Sequence, residues 1–132
     1  YLQQTYWQSR YSISFPRLRP CAGGIEPASI MSEPQLVQLI CAFRLFAPDV
    51  ELSLSTRESP YFRDHMIPVA INSVSAGSKT QPGGYADDVP PELEQFEPHD
   101  GRTPQQVAEA ISNAGLQPVW KDWDGYLGRS TQ

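Results

Sequence analysis

The stretch Val50-Glu-Leu-Ser-Leu-Ser-Thr-Arg-Glu-Ser-Pro60 decides the fold. Two leucines alternate with two serines over 52–55, which predicts a β-strand over 50–56 because successive side chains on a strand point to opposite faces. Ser59 followed by Pro60 is typical of a helix start, since serine caps free N–H groups and proline suits the first turn. This short helix is expected to end before Pro68. A strand that leads directly into a helix favours a sheet covered by helices.

The same alternation of strand and helix extends to both sides of this stretch. Two further strands are predicted from alternating apolar residues, one over 11–19 whose carboxyl end is interrupted by Pro16, and one over 71–76. Ser32 and Thr103 each precede a helical pattern and each have a glutamine three residues later, which predicts helices that begin with a capping box. Strands that alternate with helices predict an α/β fold with a parallel sheet.

The remaining segments carry weaker patterns. Residues 1–10 show no clear period, and an ordered but irregular acidic loop is expected over 86–102. Gly115 is expected to end the last helix, and a short final strand is expected over 118–123. Three strand–helix units are too few to close a barrel, which takes about 250 residues. Residues 1–132 are therefore interpreted as a single domain, either doubly wound or part of something larger.

Composition narrows the classes of function. Ten Lys/Arg against fifteen Asp/Glu give a net charge of −5, which argues against a nucleic-acid-binding surface because such surfaces are basic. No apolar stretch is long enough to span a bilayer. Cys21 and Cys41 make no disulfide framework and, with His65 and His99, show no metal-ligand spacing. We therefore expect a cytoplasmic protein without a self-contained metal site.

Polar side chains collect where the three predicted strands end. The first strand leads to Arg17, the second to Ser55 and Arg57, and the third to Ser75. In a parallel sheet these ends meet at one edge, and a guanidinium is a forked donor for carboxylates or phosphates. The pattern predicts a pocket for a small anionic ligand. In the alternative, both arginines form ordinary ion pairs with one of three acids, Glu26, Glu58 or Asp64.

The strand ends also carry a resemblance to a known family. The segments that carry it are Phe15-Pro-Arg-Leu-Arg-Pro20, Leu52-Ser-Leu-Ser-Thr-Arg-Glu58 and Ser73-Val-Ser-Ala-Gly-Ser-Lys-Thr-Gln-Pro-Gly-Gly-Tyr85. They closely resemble the 2-iminoacetate synthases, the tyrosine lyases of thiamine thiazole biosynthesis among the radical S-adenosylmethionine (SAM) enzymes. The resemblance covers nearly all of the chain and maps onto about the last third of such an enzyme. It implies a carboxyl-terminal fragment that completes a (β/α)₈-type barrel.

The resemblance implies a specific lyase reaction for the whole enzyme. Such enzymes hold a [4Fe-4S] cluster and SAM, and they cleave the Cα–Cβ bond of L-tyrosine to give 2-iminoacetate (dehydroglycine) and p-cresol. The Cys-x₃-Cys-x₂-Cys cluster motif of the family is absent from this sequence. We therefore expect the cluster in a missing N-terminal barrel half and expect the isolated chain to be inactive. A thiazole synthase protein is implied as a partner.

The resemblance also implies roles for individual residues. Arg57 is similar to the arginine that holds the carboxylate of the amino-acid substrate. Ser55 and Ser75 are implied as further substrate contacts, and Arg17 as a contact to SAM. No residue of this chain is implied as catalytic or as a metal ligand. The competing interpretation is a non-catalytic α/β interaction domain in which the strand-end cations serve only salt bridges.

Overall fold

Helices and short strands alternate along the described part of the chain. The computed structural model describes residues 1–18, 27–80 and 98–120. The elements in chain order are α1 Leu2–Thr5, β1 Ser12–Ser14, α2 Glu33–Phe46, β2 Glu51–Leu54, α3 Pro60–Met66, β3 Ser73–Val74 and α4 Pro104–Asn113. Within these three ranges, no helix has both the length and the apolar character needed to cross a membrane.

The sheet has the strand order β1-β2-β3, and both neighbouring pairs are parallel. Ser14 pairs with Ser53, and Ser53 pairs with Ser73, so serines from all three strands lie in one row. We call the side of the sheet that carries this row the serine face. Leu52 and Leu54 point to the other side and are fully buried. The predicted α/β fold with a parallel sheet is confirmed.

The hydrophobic core lies between that other side of the sheet and the helices α2 and α3. Leu36 and Ile40 lie one turn apart on α2, and Phe62 and Met66 do the same on α3, so each helix presents one apolar stripe. These residues join the strand leucines in a single cluster. Burial of such a contiguous apolar cluster is the main force that holds the layers together.

Each of the three longer helices begins at the predicted cap. The backbone N–H of Ser32 donates to the side-chain oxygen of Gln35 at 2.8 Å, and that of Thr103 donates to Gln106 at 2.9 Å. Ser59 Oγ accepts a hydrogen bond from the first turn of α3 at 3.2 Å. A proline occupies the first or the second position of each of these three helices. The capping predictions are confirmed.

The strands are shorter than predicted. β1 spans three residues of the predicted range 11–19, because Pro16 has no N–H with which to extend the ladder. β3 spans two residues of the predicted range 71–76 and pairs only with β2 among the described strands. The predicted alternation was right about which residues face the core, but pairing with a neighbour decides where a ladder ends.

Two other predictions have mixed outcomes, and one helix was not predicted. Residues 118–120 of the predicted final strand form no strand, and 121–123 lie outside the described residues. The acidic loop predicted over 86–102 is described only from residue 98, where it is irregular. α1 was not predicted, because a single turn is too short to show a helical period.

Replacing Gly115 with alanine is expected to destabilise the protein by about 1 kcal/mol. Gly115 follows α4 with a φ of +78°, which L side chains disfavour, and an added Cβ would meet nothing within 4 Å. The effect therefore comes from the backbone alone. Thermal unfolding measures it, and Gly101→Ala is the control, because Gly101 also has open space but no positive φ. Equal losses in both variants would contradict the prediction.

Candidate functional site

The predicted site residues follow β2 and β3 on the serine face. Ser55 and Arg57 lie between the end of β2 and the start of α3, two and four positions beyond Ser53, and Ser75 lies two positions beyond Ser73. Burial follows the same alternation after β2, because positions 56 and 58 are buried while 55 and 57 are half-buried. The side chains therefore belong to one side of one edge of the sheet.

Arg57 is directed towards the end of β1. Its Nη1 donates to the backbone carbonyl of Arg17 at 3.4 Å, and its backbone N–H lies 3.4 Å from Ser55 Oγ. The guanidinium thus bridges from the end of β2 to the chain that follows β1. The strand-end arginines are brought together as the parallel topology predicted, while the binding role of Arg57 stays a prediction.

Arg17 is held by an ion pair. Its Nε donates to Glu58 Oε1 at 2.9 Å, its Nη2 donates to the other carboxylate oxygen, and its Nη1 donates to the carbonyl of Met31 at 3.1 Å. The hydrogen bond to Glu58 raises the pKa of Arg17 above its usual value, although burial works in the opposite direction. The ion-pair alternative is realised for Arg17, and its contact with SAM stays a prediction.

Ser75 is fixed through its backbone. Its N–H donates to the carbonyl of Leu54 at 3.1 Å, and its carbonyl accepts from Nη2 of Arg63. The residue is exposed and lines a groove of about 840 Å³ between β3 and α4, together with Val107 and Ile111. The structure thus holds the main chain of Ser75 and leaves the residue open to this groove.

Sequence analysis missed a partly buried set of ion pairs behind the strand ends, which we call the Arg63 network: Arg63, Asp64, Asp100 and Arg102. The side chains of Arg63 and Asp100 form an ion pair, and both are 0% exposed. Arg102 donates from Nε to Asp100 Oδ1 at 2.9 Å and from Nη2 to Oδ2 at 2.8 Å. It also reaches both carboxylate oxygens of Asp64, at 2.9 and 3.0 Å.

Contacts within the Arg63 network shift the pKa values of its members. Burial raises the pKa of the Asp100 carboxyl, but hydrogen bonds from Arg102 and the charge of Arg63 outweigh it, so the pKa lies below its usual value. Burial lowers the pKa of Arg63 in spite of the neighbouring Asp100. Hydrogen bonds to Asp100 and Asp64 raise the pKa of Arg102. Asp100 is therefore ionised at neutral pH and supplies the counter-charge for Arg63.

Contacts of the Arg63 network join two strand ends and the segment before α4. Arg63 reaches the carbonyl of Ser75 beyond β3. The backbone N–H groups of His99 and Asp100 donate to the carbonyl of Thr56 beyond β2, at 2.8 and 3.0 Å. The segment over 98–102 is thus tied to both strands, and the positions of Ser55 and Ser75 depend on the same contacts.

The donor set of this chain does not fit an iron–sulfur cluster. Within residues 1–18, 27–80 and 98–120, no three His, Cys, Asp or Glu residues are grouped so as to hold a metal ion. His65 and His99 are exposed, Cys41 is half-buried on α2, and Cys21 lies outside the described residues. The cluster motif that the resemblance implies needs three thiolates, and the sequence has two cysteines.

Comparison with known sequences gives matches along nearly the whole chain. The sequence profile of the Biotin and Thiamin Synthesis associated domain matches residues 14–117. The 2-iminoacetate synthases of Salmonella typhimurium and Escherichia coli are 74% and 76% identical to this chain over 132 residues. These alignments cover 100% of this chain and 35% of each relative, so the chain spans about a third of their length. The predicted resemblance is confirmed.

Comparison with solved structures agrees with the fold. A crystal structure of HydG, a maturase of the [FeFe]-hydrogenase, matches with a TM-score of 0.82 at 32% identity, over 98% of this chain and 28% of that one. The HydG of Carboxydothermus hydrogenoformans matches with a TM-score of 0.73 at 24% identity, over 87% of this chain and 26% of that one. The second match supports the fold alone.

Proposed function

Because the chain belongs to the Biotin and Thiamin Synthesis associated domain family, we propose that it is the carboxyl-terminal part of a 2-iminoacetate synthase. This enzyme is a radical SAM lyase that cleaves the Cα–Cβ bond of L-tyrosine to 2-iminoacetate and p-cresol. The proposal is supported by 74–76% identity over the whole chain to two enzymes of that name. The [4Fe-4S] cluster is assigned to the rest of the protein, since this chain lacks its motif.

The site observation that carries the proposal is the placement of Arg57 between the ends of β1 and β2, with Nη1 3.4 Å from the carbonyl of Arg17. A guanidinium in this place suits the carboxylate of an amino acid, because its parallel N–H groups match two oxygens. Ser55 and Ser75 would add hydroxyl contacts from neighbouring strand ends. The role of this chain is to bind and orient tyrosine, since the cofactor carries the radical chemistry.

The same proposal covers the rest of the barrel, the partner protein and the compartment of the whole enzyme. The missing N-terminal barrel half would close the sheet beyond the described strands. The intact enzyme would act in the cytoplasm with a thiazole synthase protein as its partner, as the resemblance implies.

Replacing Arg57 with alanine in the full-length enzyme is expected to raise the Kd for L-tyrosine about 10- to 100-fold. A hydrogen bond to a charged group contributes about 1.5–3 kcal/mol, and 1.4 kcal/mol corresponds to tenfold in affinity. Isothermal titration calorimetry with tyrosine and, separately, with SAM measures the effect, and the Kd for SAM is expected to stay within about twofold. Gln38→Ala is the control, because Gln38 is exposed on α2, which covers the side of the sheet opposite the serine face.

A second candidate function is a non-catalytic interaction domain. The ion pair of Arg17 with Glu58 favours it, because one strand-end cation is already used in a salt bridge. This alternative predicts that Arg57→Ala leaves the Kd for tyrosine unchanged, and that result would overturn the proposed function.

A further inference from the structure

Glu58 carries a buried carboxylate that the tyrosine-binding role does not use directly. Its side chain is 1% exposed and is paired with both Nε and Nη2 of Arg17. A two-pronged pair of this kind fixes the orientation of the guanidinium as well as its charge. Buried ion pairs are weak contributors to stability, because desolvation offsets their attraction. Stability alone therefore does not account for the fixed orientation of the Arg17 guanidinium.

The first consequence of the pair is that Arg17 is immobilised. All three of its guanidinium nitrogens donate, two to Glu58 and one to the carbonyl of Met31. The guanidinium carbon also lies 5.8 Å from the centre of the Phe62 ring, within reach of a cation–π contact. A side chain held at this many points also restrains its own main chain, and so fixes the place of the Arg17 carbonyl.

The second consequence concerns Arg57, which uses that carbonyl. Nη1 of Arg57 donates to it at 3.4 Å. Arg57 and Glu58 are neighbours in the chain, and their alternating burial puts them on opposite sides of it. The contacts therefore connect the three residues. The Glu58 side chain holds the Arg17 side chain, and the Arg17 main chain holds the Arg57 side chain.

We propose that Glu58 is a positioning residue for carboxylate recognition. By fixing Arg17, it places the carbonyl that orients the guanidinium of Arg57 towards the substrate. This inference rests on the proposed function, in which Arg57 receives the carboxylate of tyrosine. Glu58 itself touches no ligand, and its effect on binding passes through Arg57.

The test compares two ligands of the full-length enzyme, L-tyrosine and tyramine, which lacks the carboxylate. A hydrogen bond to a charged group contributes about 10- to 100-fold in affinity, and losing the lower part of that range raises a Kd about tenfold, so Glu58→Gln is expected to raise the Kd for tyrosine about tenfold. The Kd for tyramine is expected to stay within about twofold, because tyramine offers no carboxylate to Arg57. A general loosening of the site would weaken both ligands, and equal weakening of both overturns the inference.

Glu33→Gln is the matched control for the loss of a carboxylate near Arg17. Glu33 lies 3.9 Å from Nη2 of Arg17, but its side chain is 52% exposed, so both dissociation constants are expected to stay within about twofold. If Glu58→Gln does not fold, as judged by circular dichroism, Arg17→Lys replaces it. That variant keeps a cation for Glu58 but removes the fork, and the selective loss of tyrosine affinity is expected again.

A double variant separates this inference from the function on which it rests. Because Glu58 acts through Arg57, adding Glu58→Gln to Arg57→Ala is expected to change the Kd for tyrosine by less than about twofold. A further tenfold loss in the double variant overturns the inference. If Arg57→Ala weakens tyrosine binding and Glu58→Gln does not, the inference fails while the proposed function stands. If Arg57→Ala has no effect, both are overturned.

Discussion

Replacing Asp100 with asparagine is expected to lower the free energy of unfolding by about 3–5 kcal/mol. The side chains of Asp100 and Arg63 are both 0% exposed, so the carboxylate is the counter-charge that makes burial of this guanidinium tolerable. Asparagine keeps the shape but not the charge, and the desolvation penalty of Arg63 is then no longer offset. Urea unfolding followed by far-UV circular dichroism measures the change.

The control for this variant is Asp64→Asn in the same network. Asp64 pairs with Arg102 at 2.9 Å, but the two side chains are 37% and 20% exposed, so solvent screens their charges. Such pairs contribute about 0–1 kcal/mol, and the variant is expected to lose less than about 1 kcal/mol. Losses of equal size at positions 64 and 100 would show that burial does not decide the effect.

The effect of Asp100 is expected to depend on pH with a definite sign. The pKa of Asp100 is lowered in the folded protein, so its stabilising contribution is present above the unfolded pKa of about 4 and is lost as the pH falls through the lower, folded pKa. The difference between the parent protein and Asp100→Asn is therefore expected to be constant from pH 7 to about 5 and to shrink below about 4. A difference that grows on acidification would contradict the assignment.

Replacing Leu54 with alanine is expected to destabilise the protein by about 2–5 kcal/mol. Leu54 is 0% exposed on the central strand and belongs to the cluster between the sheet and the helices. Its removal deletes buried methyl groups and leaves a cavity that a close-packed core fills only in part. Urea unfolding of the variant measures the loss of free energy.

The matched control is the same substitution at an exposed leucine. Leu45 lies on α2 and is 85% exposed, so Leu45→Ala is expected to change the free energy of unfolding by less than about 0.5 kcal/mol. A loss at position 45 as large as that at position 54 would contradict the description of the core.

Local chemistry explains which parts of the fold were predictable. The starts of α2, α3 and α4 were predicted because caps and prolines act on residues three or four positions away. The interruption of β1 near Pro16 was predicted as well, because proline has no N–H to offer a ladder. The end of β3 was not predicted, because a ladder stops where its partner strand stops, and the partner is distant in sequence. The position of Gly115 at a helix end was predicted, since glycine lacks a Cβ and readily adopts the left-handed conformation that often ends a helix.

The candidate site also has features that the sequence predicted and features that it did not. The meeting of Arg17 and Arg57 was predictable, because parallel strands place their carboxyl ends at one edge. The pairing of Arg17 with Glu58 was open as an alternative, and only the structure decides it. The ion pair of Arg63 with Asp100 was missed, because it joins a short helix to a segment predicted as irregular. The one local signal was that Arg63 precedes Met66 by three positions and so shares its side of the helix.

The start of α3 has a consequence for the proposed binding of a carboxylate by Arg57. The loop over 55–59 is short, closes with a hydrogen bond from Glu58 to the Ser55 carbonyl at 3.5 Å, and ends at a capped Ser59 before proline. Proline restricts its own backbone and that of the residue before it, so few conformations are open to this loop even without a ligand. A ligand bound by Arg57 would thus meet a preorganised backbone, and little of its affinity would be lost to ordering the chain.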